Sequence, residues 1–254
     1  MPIAITRNIS PRMEWCELTH QEREPINIAL AEKQHEEYED ALRKLGCELV
    51  RAPDLPDYPD SVFVEDCAVV FDELALITRP GAESRRAEAV SLEDVLEPYR
   101  KLHYIETPGT LDGGDVLQLG KRVLVGLSGR TNRAGFEQLH ALLTPLGYMV
   151  EGVVVRECLH LKSAVTQVGE KTVLLNPDWV DPLYFEGMEI IEVHPDEPEA
   201  ANALLIGDTV IYPADFPFTA LRLAEAGIEL LLVDNSEVLK AEGGVTCCSV
   251  VFDE

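Results

Sequence analysis

A chain of 254 residues, 46% hydrophobic and 26% charged, is long enough to bury a sizeable core as a soluble globular protein. Its formal charge of −25 argues against nucleic acid and anionic membrane as partners, because polyphosphate would be repelled, and it is compatible with a cationic substrate. The apolar runs are far too short to span a bilayer, and the opening MPIAITRN has no basic segment followed by an apolar stretch, so neither a membrane span nor a secretory signal is expected and the cytoplasm is.

In chain order, PIAITRN reads as a strand and residues 28–45 as a long amphipathic helix stopped by Gly46. Four strand–turn–strand units follow. EDCAVVFDELALITRP spans Glu65–Pro80. GGDVLQLGKRVLVGLS spans Gly113–Ser128 and turns at Gly120-Lys121. HLKSAVTQVGEKTVLLNP spans His160–Pro177 and turns at Gly169–Lys171. ANALLIGDTVIYP spans Ala201–Pro213 and turns at Gly207-Asp208. Helical spacing appears between hairpins, over residues 132–146 and 218–227. The closing EGGVTCCSVVF (Glu242–Phe252) reads as a first strand with no partner after it.

The intervals from Asp66 to Asp115, Ser163, Asn202 and Cys247 are 49, 48, 39 and 45 residues, which indicates a repeat architecture. The unpaired strands at the two ends complete a fifth unit if they join. A closed ring of five units then leaves no exposed sheet edge, and residues 1–254 form one domain. The starts of equivalent strands would face the ring's centre. Glu65, Asp66, Asp112, Asp115, His160 and Cys247 occupy those starts.

The six cysteines show no CxxC spacing and no Cys–His clusters, so free thiols and no dedicated metal site are expected. On a strand, Cys247 and Cys248 point to opposite faces, so they should not bond each other and only one should face the centre. A thiol, an imidazole and several carboxylates suit substitution at a planar, cationic carbon. The thiolate attacks, the imidazole protonates a leaving amine and then activates water, and the carboxylates hold a guanidinium. The same carboxylates would repel phosphate and make no oxyanion hole.

PDSVFVED (Pro59–Asp66), ITRPGAESRRAE (Ile77–Glu88), GTLDGGDVL (Gly109–Leu117), GLSGRTN (Gly126–Asn132), LHLKSA (Leu159–Ala164), AAN (Ala200–Asn202) and GGVTCCSVVF (Gly243–Phe252) carry a resemblance across nearly the whole chain. Together they resemble the dimethylarginine dimethylaminohydrolase family of the guanidine-modifying (pentein) superfamily. The resemblance implies an α/β fold, a five-bladed α/β-propeller of ββαβ-type units. It implies hydrolysis of Nω-methylated L-arginine to L-citrulline and methylamine or dimethylamine through a covalent intermediate on cysteine. It implies Cys247 as nucleophile, His160 as general acid and base, and Asp112 as the carboxylate partner of His160. Asp66 would clamp the guanidinium with Glu65 beside it in the same pocket. Arg85 and Arg130 would bind the substrate carboxylate. Asp60 and the backbone carbonyls of Leu18 and Ala241 would bind its amino group, with the segment around Leu18 forming a lid. Asp115 is expected to be structural, bonding backbone in the neighbouring blade. No cofactor is required, an inhibitory zinc at Cys247 and His160 stays open, and the chain is expected as a monomer or homodimer.

An arginine deiminase, an amidinotransferase or another guanidino- or ureido-compound hydrolase could use the same Cys/His/Asp machinery. Arginine deiminases of this fold usually carry an extra helical insertion, for which the segments between hairpins leave no room. A non-catalytic propeller that serves only as a binding protein predicts loss of the Cys, His and carboxylate positions, and all of them are present.

Overall fold

The computed structural model describes residues Met1–Glu254. Short apolar segments punctuated by tight turns form fifteen strands, too short to stand alone, which assemble as five three-stranded sheets.

β1 (Pro2–Thr6), α1 (Ile28–Lys44) and β2 (Glu48–Arg51) open the chain. The Asn27 side chain caps α1 by accepting the Leu30 N–H at 3.2 Å, and Ala31, Gln34, Tyr38 and Leu42 form its buried face. The second blade holds β3 (Ala68–Val70), β4 (Ala75–Ile77), α2 (Arg86–Val90), α3 (Glu93–Leu96) and β5 (Leu102–Tyr104). The third holds β6 (Val116–Leu119), β7 (Arg122–Leu127), α4 (Arg133–Leu143) and β8 (Met149–Val154). α5 (Leu161–Ala164) leads into the fourth, with β9 (Val165–Gly169), β10 (Thr172–Leu175) and β11 (Glu189–Glu192). The fifth holds β12 (Leu204–Ile206), β13 (Thr209–Pro213), α6 (Pro217–Glu225) and β14 (Glu229–Val233). α7 (Ser236–Leu239) and β15 (Val250–Asp253) close the chain.

Every blade follows one rule. An inner strand pairs antiparallel with the middle strand, and the middle strand pairs parallel with the strand after the crossover. The crossover in the fourth blade is only a 3-10 turn, Pro182–Phe185. Gly120 and Gly207 sit at φ 62° and 58°, the left-handed backbone that two-residue hairpin turns require. The ring closes as the unpaired ends predict: β15 runs antiparallel to β1, with Ile3 opposite Phe252, and β1 runs parallel to β2. Apolar side chains fill the seams between blades. Leu42, Tyr38 and Ala4 meet Ile211, Val245 and Cys248 where the last blade meets the first. No helix is long and apolar enough to cross a membrane.

The final segment departs from its sequence reading. The strand begins at Val250, and Cys247 and Cys248 lie in the turn before it. The Gly244 carbonyl accepts the Cys247 N–H at 3.2 Å and the Ser249 N–H bonds back to Thr246, so the chain here is curled and strand alternation does not choose between the two cysteines. The turn makes the choice instead. It leaves Cys247 half-buried and packs Cys248 into the core.

Candidate active site

Each inner strand is preceded by a short curl, and the chemistry-bearing side chains sit on these curls. A 3-10 turn, Val64–Cys67, carries Glu65 and Asp66. Asp112 precedes the 3-10 turn Gly113–Asp115, His160 precedes α5, and Cys247 sits in the turn ahead of β15. Because the blades form a ring, these curls converge at one end of its axis.

His160 is the hub. Its Nε2 lies 3.0 Å from Asp112 Oδ2 and 3.8 Å from Asp66 Oδ1. Asp112 is completely buried, and its other oxygen accepts the Gly81 N–H at 2.7 Å. Burial alone would push the imidazole down. The Asp66 charge, the bond to Asp112 and the Asp115 charge outweigh it and raise His160 to about 9. Burial likewise works against the Asp66 carboxylate, but His160, Arg85 and the Gly114 N–H overcome it and hold Asp66 at about 2. Gly114 must be glycine here, because a Cβ would stand 2.8 Å from His160 Nδ1 and 2.9 Å from Asp66 Oδ1. Asp115 plays the structural part expected of it: its carboxylate accepts the Leu161 N–H at 2.9 Å and the Ser128 hydroxyl at 2.6 Å, which fixes the residue after His160.

Cys247 receives the Gly244 N–H at 3.3 Å on its sulfur. Burial, then the Glu65 and Asp66 charges, push its thiol up to about 12. The resting site therefore holds a neutral thiol opposite a protonated imidazole. A cation docked on Asp66 would favour the thiolate by supplying the missing opposite charge.

Cys247, His160 and Asp66 line one small cavity together with Asp60, Arg85, Arg130 and Ala241. Glu17, Phe63, Leu159, Glu242 and Gly243 complete its wall. The cavity offers about 20 Å³ to water, room for about one molecule. The lid segment closes it. Asp60 accepts the Glu17 N–H at 3.2 Å on both oxygens, Arg130 Nη2 reaches Thr19 Oγ1 at 3.2 Å, and Glu242 takes the N–H groups of Thr19, His20 and Gln21 at 2.5–3.0 Å. Glu242 sits at φ 56°, an uncommon backbone for a residue with a side chain, held by these contacts. Burial raises Asp60 to about 6, against the opposing effects of Arg85 and the Glu17 N–H.

Three expected positions differ in detail. Glu65 is beside Asp66 in sequence but does not line this cavity. Its Oε1 accepts Lys162 Nζ at 2.6 Å and its Oε2 accepts the Thr246 hydroxyl at 2.8 Å, which turns it toward a separate channel of about 220 Å³ along the ring axis. Arg85 lines the cavity but is 3% exposed and already engaged: Nη1 bonds Asp66 at 2.5 Å, Nε and Nη2 bond Glu88 at 3.2 and 3.0 Å, and Nη2 also reaches the Asp60 and Phe63 carbonyls. Leu18 belongs to the lid and packs on the core, while its neighbour Glu17 faces the cavity. Arg130 and Asp60 remain at the cavity wall as expected. The ligand-type atoms that converge within 4.8 Å belong to Asp66, Asp112 and His160, and the Cys247 sulfur is not in that group. The sequence reading did not single out Lys162, Glu242 or Gly114, which the structure places in or beside the site. Lys162 and Gly114 lie inside the LHLKSA and TLDGGD motifs, but Glu242 carries no local signal.

Comparison with known proteins agrees with this geometry. Residues 10–203 match the family described as N,N dimethylarginine dimethylhydrolase, eukaryotic. The N(G),N(G)-dimethylarginine dimethylaminohydrolase of Streptomyces coelicolor is 45% identical over 253 residues, covering 99% of this chain and 97% of that one. The protein of the same name from Pseudomonas aeruginosa is 36% identical, covering 89% and 90%. A solved structure of the Pseudomonas aeruginosa protein, a cysteine-to-serine variant complexed with citrulline, superposes with a TM-score of 0.94 at 34% identity over 98% of each chain. With the ring of five blades and the Cys–His–Asp cavity in place, such likeness over nearly its whole length means that the chain belongs to the dimethylarginine dimethylaminohydrolase family.

Proposed function

We propose that the chain hydrolyses Nω-methylated L-arginine to L-citrulline and methylamine or dimethylamine. The observation that carries this reading is the composition of one cavity. Cys247, His160 and Asp66 sit in it together with Asp60 and Arg130, so a guanidinium end and an amino-acid end share one space.

The substrate guanidinium docks on Asp66, which His160, Arg85 and the Gly114 N–H keep ionised against the effect of burial. The substrate's positive charge favours the Cys247 thiolate, the thiol proton passing to solvent as the substrate binds, and the sulfur attacks the guanidinium carbon. His160 gives its proton to the methylated nitrogen, the C–N bond breaks, and the amine leaves. A thiouronium remains on Cys247. His160, now neutral, takes a proton from water as the water adds to the same carbon. The C–S bond then breaks, the hydroxyl on the carbon gives its proton to solvent, and citrulline and the thiolate remain. Asp112 holds the imidazole through both halves and stabilises its charged form. Arg130 and Asp60 suit the substrate's carboxylate and amino group, with Ala241 at the same cavity wall.

Each step uses side chains of this chain, and residues 1–254 act as one catalytic unit because the first blade needs both chain ends. Cys247 must stay a thiol, which fits a reducing, cytoplasmic setting. A substrate panel tests the reading. Asymmetric dimethylarginine and monomethylarginine should yield citrulline, and arginine should be turned over poorly. Rapid turnover of arginine alone would move the assignment to an arginine deiminase.

A further inference from the structure

Lys162 is a largely buried cation that the proposed reaction does not use. Its ammonium pairs with Glu65 at 2.6 Å, with side-chain exposures of only 16% and 10%. Hydrogen bonds extend the pair into a closed loop. Glu65 Oε2 accepts the Thr246 hydroxyl at 2.8 Å, and Thr246 Oγ1 accepts Asn202 Nδ2 at 3.0 Å. Asn202 Oδ1 takes the Thr246 N–H at 3.0 Å, and Asn202 Nδ2 also reaches the Lys162 carbonyl at 3.1 Å. The loop therefore starts and ends at Lys162 and links the curls ahead of three inner strands, β3, β9 and β15, with the Asn202 position ahead of β12. Thr246 directly precedes Cys247, and the Glu65 N–H donates to the Cys247 carbonyl at 3.2 Å. The residue before the nucleophile and the nucleophile's own carbonyl are thus held by residues that bond to Lys162.

We infer that Lys162 is a positioning residue for the nucleophile. Through Glu65 and Thr246 it fixes the turn that presents Cys247, and it neutralises the carboxylate on the far side of that turn. The inference rests on the assignment of Cys247 as nucleophile. The charged and titratable groups around this sulfur are Glu65 and Asp66 from the 3-10 turn, Lys162 from α5, Tyr38 from α1 and the adjacent Cys248. His160, Arg85, Arg130 and Asp60 face it across the cavity, with Glu17 and Glu242 at the rim. Glu65 acts on the sulfur and has a single ion-pair partner, Lys162, so removing either end of the pair changes the charge beside the sulfur in opposite senses.

The test compares Lys162→Met, Glu65→Gln and the double variant by two readouts. The first is the rate at which neutral iodoacetamide alkylates Cys247 at pH 7.5, followed on the Cys247 peptide by mass spectrometry. It involves no methylated arginine, so a failure of the substrate assignment leaves it standing. Lys162→Met should slow alkylation by roughly tenfold and Glu65→Gln should speed it, as expected for shifts of about one pKa unit. The double variant should return close to wild type. The second readout is steady-state kinetics on asymmetric dimethylarginine. Lys162→Met should lower kcat at least tenfold with KM within about threefold, because the loop touches the nucleophile and not the substrate. Alkylation changing in the same direction in both single variants, or no recovery in the double variant, would overturn the inference. If Lys162→Met does not fold, Glu65→Gln decides alone: faster alkylation supports the inference, and unchanged or slower alkylation overturns it.

Discussion

His160 and Asp112 are joined through Nε2 and Oδ2 at 3.0 Å in a site where Asp112 has no exposed surface. The carboxylate therefore acts on the imidazole without competition from water. Asp112→Asn keeps the shape and the acceptor for the Gly81 N–H but removes the charge. It should lower kcat by about 10²-fold or more, with KM much less affected. Steady-state kinetics at neutral pH check this.

The same pair makes stability depend on pH. His160 is raised from 6.5 to about 9 in the folded protein. A raised imidazole favours the folded state fully below pH 6.5, and the contribution fades as pH climbs through about 9. Wild type should therefore lose stability between about pH 6.5 and 9, by at most about 3 kcal/mol. His160→Gln should lack that slope. Urea unfolding across the window measures it.

Gly114→Ala should cost activity far beyond the size of a methyl group. The added Cβ would press on both His160 Nδ1 and Asp66 Oδ1, and shifting either disturbs its bond to Asp112 or Arg85. A shift of about 1 Å at this hub predicts a loss near 10²-fold in kcat/KM. Gly129, whose Cβ would meet nothing within 4 Å, serves as the control: Gly129→Ala should stay near wild type.

Much of this was legible in the sequence. The hairpin turns at Gly120 and Gly207 punctuate the chain at near-regular intervals, and the unpaired strands at its ends point to ring closure. His160, Asp112 and Cys247 stand out because each precedes an inner strand at a repeat-equivalent position. What the sequence concealed lies in the curls before those strands. A one-turn 3-10 segment has no usable period, so Cys247 reads as strand although it sits in a turn. Glu65 reads as a neighbour of Asp66, but its partner Lys162 is 97 residues away and turns it to the other side. The Glu242 grip on the lid spans more than 220 residues and depends on backbone N–H groups, which carry no sequence signature.

That grip yields a prediction about access. Glu242→Ala removes the acceptor for the Thr19, His20 and Gln21 N–H groups. The lid should open more often, with faster amide exchange at those residues and a KM raised about tenfold. Exchange rates unchanged from wild type would mean that the lid is held elsewhere.

The two arginines of the cavity should separate cleanly. Arg85 anchors buried Asp66 and Glu88, so Arg85→Met removes the guanidinium that both carboxylates share and should destabilise the fold by about 3–5 kcal/mol. Arg130 is partly exposed and bonds only the lid hydroxyl of Thr19 through its side chain, so Arg130→Met should raise KM while thermal unfolding stays nearly unchanged. Unfolding curves and KM values for the two variants decide between anchoring and substrate contact.

The proposed reaction depends on Cys247 and not on its neighbour. Citrulline formation from asymmetric dimethylarginine by Cys247→Ser and Cys248→Ser tests it directly. Cys247→Ser should form no citrulline while Cys248→Ser keeps most of the activity. Retained activity in Cys247→Ser with loss in Cys248→Ser would contradict it.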